Sequence, residues 1–274
     1  MKKSAFVRGV ETALVGVLLL FALVPIYWMA TSALKSDVEL GRLDPSWFPE
    51  SATLDQFRAA IGQSRILSYL LYSGLLAAGT AVVVVILGSL AAYAVTQWTF
   101  PGVGGFLGVT LFTQLLPQSA VLVPLYLAWK TLGLTGTLPG LGVAYVFLFL
   151  PVGVWMLVGF FQSLPKELTE AGLIDGAGRL RILFSIVLPV VRPALGAVAV
   201  YTVISCWGEF LFALVFLRSD HATSTVALAS LVGEHNPNIG PLMAAATLVT
   251  LPPLIVFFLM QRQFIAGLTG GSSK

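Results

Sequence analysis

Charge is what this sequence has least of. Of its 274 residues only 10% are Asp, Glu, Lys or Arg, while 57% are hydrophobic; soluble proteins average about 25% charged. Such a chain cannot clothe itself in polar surface, which excludes a soluble globular domain and points to an integral membrane protein. Fifteen basic residues against twelve acidic ones make no case for DNA or RNA, and the small excess suits the topological placement of Lys and Arg around a bilayer. Cysteine is nearly absent. The single Cys206, inside an apolar run, excludes an intrachain disulfide and any multi-cysteine zinc site. The only histidines, His221 and His235, flank a polar loop that also holds Glu234. Neither the His-x3-His nor the His-Glu-x-x-His spacing occurs, so the loop is read as a solvated connector and no metal site is assigned.

Catalytic signatures are missing as well. There is no G-x-x-x-x-G-K-[ST] phosphate loop, and Gly176-x-Gly178 is followed by Arg179 and Leu180 where a dinucleotide fingerprint needs a further glycine. No nucleophile–base pair marks an enzyme working on lipids. The chain is therefore expected to be no enzyme and to bind no cofactor of its own. Ionisable groups within the apolar runs are nearly confined to Glu11, at an edge, and Glu209, well inside. That is little machinery for coupling to protons or sodium.

What the sequence does have is long apolar stretches. After Lys2, Lys3 and Arg8, the run from Val10 to Ala33 is broken only by Glu11. It exceeds the 7–15 residue core of a signal peptide, so a retained first span near 11–32 is expected, with Pro25 as a kink. A polar segment follows from 34 to 66, with turns at Asp44-Pro45 and Phe48-Pro49. In it Leu54, Phe57 and Ile61 stand at the spacing of a surface amphipathic helix. From Ile66 to Trp129 there is no Lys, Arg, Asp or Glu; as one helix this run would reach about 96 Å, about three times a bilayer core of about 30 Å. It must double back, and Trp98 to Gly105 supplies the proline and glycines for the turn. The expected spans are then 68–96 and 106–129, followed by 140–161, 193–217 and 242–260, with polar loops at Lys130–Pro139 and Arg218–Pro241. The fold class is all-α integral membrane: six transmembrane helices in a single domain, 1–274, with a soluble-facing stretch at 163–192 between spans four and five. Placing the N-terminus inside puts nine Lys and Arg residues in the cytoplasm against six outside, which favours cytoplasmic termini and a cytoplasmic 163–192.

Within that stretch Glu170–Pro189 is densely marked. Pro165 and Glu167 suit a helix start. Leu168, Ala171 and Gly172 make a narrow face of small and apolar groups open to a partner. Asp175 is expected to cap a second helix, Gly176 and Gly178 to make the bend, and Pro189 to stop that helix, whose apolar stripe is Leu180, Leu183, Phe184 and Val187. The result is a helix–bend–helix knob.

These residues resemble the signature loop of binding-protein-dependent ABC importer permeases: Glu170-Ala171-Gly172, then Gly176, then Ile186-Val187-Leu188-Pro189, in register. Asp175, Gly176 and Ala177 extend the likeness toward the carbohydrate-importing branch, similar to maltose and glycerol-phosphate permeases. So do Pro117, Pro124, Leu125 and Tyr126, the run Trp207 to Leu211, and Gln261 through Gly270. Gly172 stands where that family commonly has alanine, and Gly208 where it commonly has asparagine. The resemblance implies a permease subunit forming half of a translocation pathway for a sugar or sugar-like solute in a bacterial inner membrane. Implied partners are a second homologous permease, a dimer of cytoplasmic ATPase subunits that use ATP and magnesium, and an extracytoplasmic solute-binding protein. Glu170, Ala171, Gly172, Asp175, Gly176, Ala177 and Arg179 would contact the ATPase.

For the pathway, Gln118 and Ser119 beside Pro117, and Trp207 with Glu209, are candidates. Helix packing is the other reading of Gln118 and Ser119, and a structural or gating role the other reading of Glu209. The alternative function is an independent secondary carrier or channel.

Overall fold

The computed structural model describes residues 5–63, 65–98, 101–218, 221–232 and 238–270. Lys2, Lys3 and Lys274 of the charge count lie outside these residues, as do Thr99 and Phe100 of the expected turn and Glu234 and His235 of the polar loop. Regular structure among the described residues is entirely helical. In chain order it comprises α1 (Ala5–Ser32), α2 (Asp37–Leu40), α3 (Asp55–Gln63), α4 (Ile66–Gln97), α5 (Val103–Leu115), α6 (Gln118–Thr131), α7 (Leu138–Gln162), α8 (Lys166–Ile174) and α9 (Arg179–Ile182). A π-helical turn at Leu183–Val187 follows, then α10 (Leu188–Val190), α11 (Arg192–Gly208), α12 (Leu211–Phe216), α13 (Ser224–Val232) and α14 (Ile239–Gly270).

Four stretches are long and apolar enough to cross a bilayer alone: Gly9–Ser32, Ile66–Gln97, Leu138–Gln162 and Ile239–Gln261. Two further pairs, α5 with α6 and Arg179–Val190 with α11, are bent by 106° and 80°. The stretch expected as one span at 106–129 is thus a broken helix. Leu116 is extended (ψ 132°) because a residue ahead of proline is pushed out of the α region, and Pro117 (ψ 131°) restarts the chain as α6. The stretch 193–217 is broken too: α11 ends at Gly208, Glu209 is extended (φ −70°, ψ 131°), and α12 begins at Leu211.

The chain forms two compact units, one of Met1–Ser68 with Ala227–Leu251 and one of Tyr69–Val226 with Pro252–Lys274. In the first, the end of α1 is clasped by the polar segment that follows. Trp28 meets Trp47 edge to face at 5.5 Å, Tyr27 meets Phe48 at 6.1 Å, and the Tyr27 hydroxyl donates to the Trp47 carbonyl at 2.9 Å. Lys35 is buried; its ammonium lies 4.6 Å from the Trp28 ring centre and donates to the Ser46 carbonyl. The buried Glu39 carboxylate accepts from the Ser46 hydroxyl at 2.5 Å and the Glu50 amide at 3.2 Å. The Ser46 hydrogen bond is the main cause that holds Glu39 below the ordinary carboxylate range, opposed by desolvation and helped by the Glu50 amide, Lys35 and Arg42. Gly240, at the start of α14, leaves room for the buried Gln56 amide, which a Cβ there would strike.

In the second unit α7 is the central helix. Its buried side includes Leu141, Tyr145, Phe149, Val154, Leu157 and Phe161. Small residues let helices approach it closely: a Cβ on Gly153 would come within 2.8 Å of Val84 on α4 and 3.3 Å of Val198 on α11. Trp129 on α6 donates to the Gly140 carbonyl at 2.7 Å and Trp155 to Thr110 on α5 at 3.0 Å, so both indoles are satisfied inside the helix bundle.

Candidate functional site

Two features of the second unit bring the candidate residues together. The first is the knob. α8 follows Pro165, the residue at its N-cap, and closes in a paired-bond cap: the Gly176 amide donates to the Leu173 carbonyl and the Ala177 amide to that of Gly172, each at 3.0 Å. This is the Schellman arrangement, and it requires a left-handed residue at the bend, which Gly176 supplies with φ +76°. Asp175 does not cap the second helix. It is the C-terminal cap of α8, donating its amide to the Ala171 carbonyl at 3.0 Å, and Gly178 stands at the start of α9.

Gly172 also differs from expectation. It is buried against this chain's own Ile182 and Ile186, whose side chains lie 3.0 Å from where its Cβ would be, so its small size serves the closure of the knob on itself. The expected apolar stripe divides: Leu183 and Val187 turn inward, while Leu180 and Phe184 are exposed together with Ile174, which is 86% exposed. Glu170, Ala171, Asp175 and Arg179 are exposed, and Ala177 is half-buried. Pro189 does not end the helix. It has no N–H for the carbonyl four residues back, and the widened π turn ahead of it, in which the Leu188 amide reaches the Leu183 carbonyl, lets the helix run on to Val190. The knob is tied to the end of α4: the Tyr93 hydroxyl donates to the Arg179 carbonyl at 3.3 Å, and the Arg179 guanidinium stacks 5.0 Å over the Trp98 ring.

The second feature is a cavity of about 430 Å³ lined by Gln118, Phe149, Tyr201, Ser205, Gly208, Glu209, Phe210 and Leu211. It lies where both helix breaks come together, at the start of α6 and at the α11–α12 junction. Its wall mixes aromatic faces with hydroxyl, amide and carboxylate groups, the combination that suits a polyhydroxylated ligand. Gln118 also borders an adjoining cavity of about 250 Å³ with Gln114 and Thr113. Ser119 is exposed and Trp207 buried, and neither lines these two cavities among the described residues. Of the four pathway candidates the structure therefore joins Gln118 and Glu209. Tyr201, Ser205 and Phe149 were missed. Tyr201, Ser205 and Gly208 follow one another at i, i+4 and i+7, a polar-to-small stripe on one face of an apolar helix that the sequence displays. No group of three or more metal-ligating side chains occurs among the described residues.

Residues 84–270 match the protein family described as the binding-protein-dependent transport system inner membrane component. The chain is similar to the trehalose transport system permease protein SugB of Mycobacterium tuberculosis, at 31% identity across 100% of this chain and 98% of that protein. It is 28% identical to the diacetylchitobiose uptake system permease protein DasC of Streptomyces coelicolor, with 100% of both chains covered. In fold it is similar to a chain of a crystallised bacterial ABC transporter involved in the import of the acidic polysaccharide alginate. The TM-score is 0.80 at 20% identity, over 96% of this chain and 99% of that one.

Proposed function

The chain belongs to the family of binding-protein-dependent transport system inner membrane components, and on that premise we propose that it forms half of the pathway by which an importer moves a sugar across the membrane, driven through its α8–α10 knob. Members of this family are multi-pass permease subunits, and ATP hydrolysis belongs to a separate ATPase. That the relatives are named for trehalose and diacetylchitobiose supports a disaccharide-sized solute, as does the cavity walled by Phe149, Tyr201, Gln118 and Ser205.

The observation that carries the reading is the knob. Its fold is built from its own Gly172–Ile182 contact and Gly176 bend, which leaves Glu170, Ala171, Asp175, Ile174, Leu180 and Phe184 on its outside. In the proposed assembly that outer face meets the cytoplasmic ATPase, which uses ATP and magnesium. Arg179, whose carbonyl accepts from Tyr93 on α4 and whose guanidinium stacks on Trp98 just beyond it, would link movement of the knob to α4. In this proposal α5 with α6 counts as the third span and α11 as the body of the fifth, making six spans, and the knob and both termini are assigned to the cytoplasm. A second homologous permease would complete the pathway, and an extracytoplasmic binding protein would deliver the solute. Purification after mild solubilisation tests this: the chain is expected to emerge with another permease and two ATPase subunits. Liposomes holding this chain alone and accumulating sugar would overturn it.

A further inference from the structure

Glu209 is a buried acid in an apolar bundle, where such a group needs compensation. The protein supplies it. Its Oε2 accepts from the Tyr145 hydroxyl at 2.7 Å and the Ala213 amide at 3.0 Å, and its Oε1 accepts from the Phe212 amide at 2.7 Å. Its backbone carbonyl accepts from Thr225 Oγ1 at 2.9 Å. Two of these donors belong to the first turn of α12, whose amides have no partner within that helix. A carboxylate has about four acceptor positions, so three of them are already committed to the protein.

Glu209 and Phe210 are the two residues by which α11 and α12 are separated, and Phe210 lines the cavity. We infer that Glu209 is a positioning residue: by joining Tyr145 on α7 to the first turn of α12, it fixes the helix break and holds Phe210 in the cavity wall. This rests on the reading of that cavity as part of the pathway. The carboxylate thus acts on the solute through the shape of the wall, and Tyr145 belongs to the same device.

Because Cys206 is the only cysteine of this chain and is buried, thiol labelling followed on this subunit's own band reads the cavity. On a Cys206→Ala background, single cysteines at Gly208 and at Phe210 are introduced in the assembled importer and exposed to a cationic, water-soluble methanethiosulfonate. A Cβ at Gly208 meets nothing within 4 Å, so Gly208→Cys reports whether water reaches the cavity; no reaction there would overturn the pathway reading and this inference with it. Phe210→Cys reports the wall. Tyr145→Phe, which keeps the ring, and Glu209→Gln should each speed its labelling roughly five- to thirtyfold, the range expected for the loss of one or two hydrogen bonds to a buried acceptor. The double variant should add little, because both changes release the same junction. Labelling at Gly208→Cys with an unchanged rate at Phe210→Cys in both variants would leave the pathway standing and refute the positioning role.

Discussion

Replacement of Gly176 separates two ways in which the knob's bend can matter. The residue has φ +76°, and a Cβ built on it meets nothing within 4 Å. Within this chain the whole cost of a side chain is therefore conformational, about 1–2 kcal/mol for a residue forced into the left-handed region. Asparagine enters that region more readily than alanine. If backbone geometry is what counts, Gly176→Asn retains more function than Gly176→Ala, although its side chain is larger. Gly176→Val, β-branched and larger still, is worst. A penalty of this size lowers the fraction of correctly bent knobs about five- to thirtyfold when the bend is marginal. The assay is the amount of ATPase subunit retained by the affinity-purified permease, with ATP-dependent uptake alongside. All three variants should reach the membrane at wild-type levels. An order following size alone, with alanine best, would refute the conformational account and place the partner's surface directly against Gly176.

Other expectations follow from single contacts. Gly153→Ala puts a Cβ 2.8 Å from Val84 and should cost about 1–3 kcal/mol by overpacking. Gly88→Ala, facing the end of Leu157 at 3.3 Å, should cost less, and Gly159→Ala, facing nothing within 4 Å, should not lower the midpoint; thermal unfolding in detergent ranks them, and equal midpoints would contradict the helix packing. Gly208→Leu should leave stability unchanged and narrow the cavity, so that uptake of disaccharides falls before that of monosaccharides. Equal uptake of both would remove Gly208 from the route. The Ser46 hydroxyl, first among its partners, holds the folded pKa of Glu39 below the ordinary carboxylate value of about 4.5. Its contribution is then fully present above about pH 4.5 and is lost as pH falls through the lower folded value. The stability gap between wild type and Glu39→Gln should accordingly shrink on acidification below pH 4.5, and a gap constant from pH 6 to pH 3 would contradict the Ser46 contact.

The helical class and the approximate places of the long apolar helices were legible because they depend on composition and on local breakers. Gly176 was legible for the same reason, since a left-handed bend is a local demand that glycine meets. Local signals also misled where a tertiary contact decides. Asp175 looks like a start of the second helix, but the paired cap formed by Gly176 and Ala177 uses it to end the first. Gly172 looks like room for a partner, and only the folded knob shows Ile182 and Ile186 filling that room. Leu116-Pro117 falls inside the third span expected at 106–129; the structure uses it as a corner that carries Gln118 to the cavity. The partner of Glu209 stands 64 residues away at Tyr145, a pairing that helical spacing along the chain could not supply.

If the knob carries the energy of ATP hydrolysis into this chain, as proposed, its outer face must lie against the ATPase subunit, and a cross-link reads that contact. With Cys206 replaced by alanine, Ile174→Cys places one reactive thiol at a position that is 86% exposed on the isolated chain. In the assembled importer a short bifunctional maleimide should join it to the ATPase subunit, and the yield should change between ATP-bound and nucleotide-free states. Free reaction of that thiol with a soluble monomaleimide in the intact complex, with no cross-linked product in either state, would contradict the account.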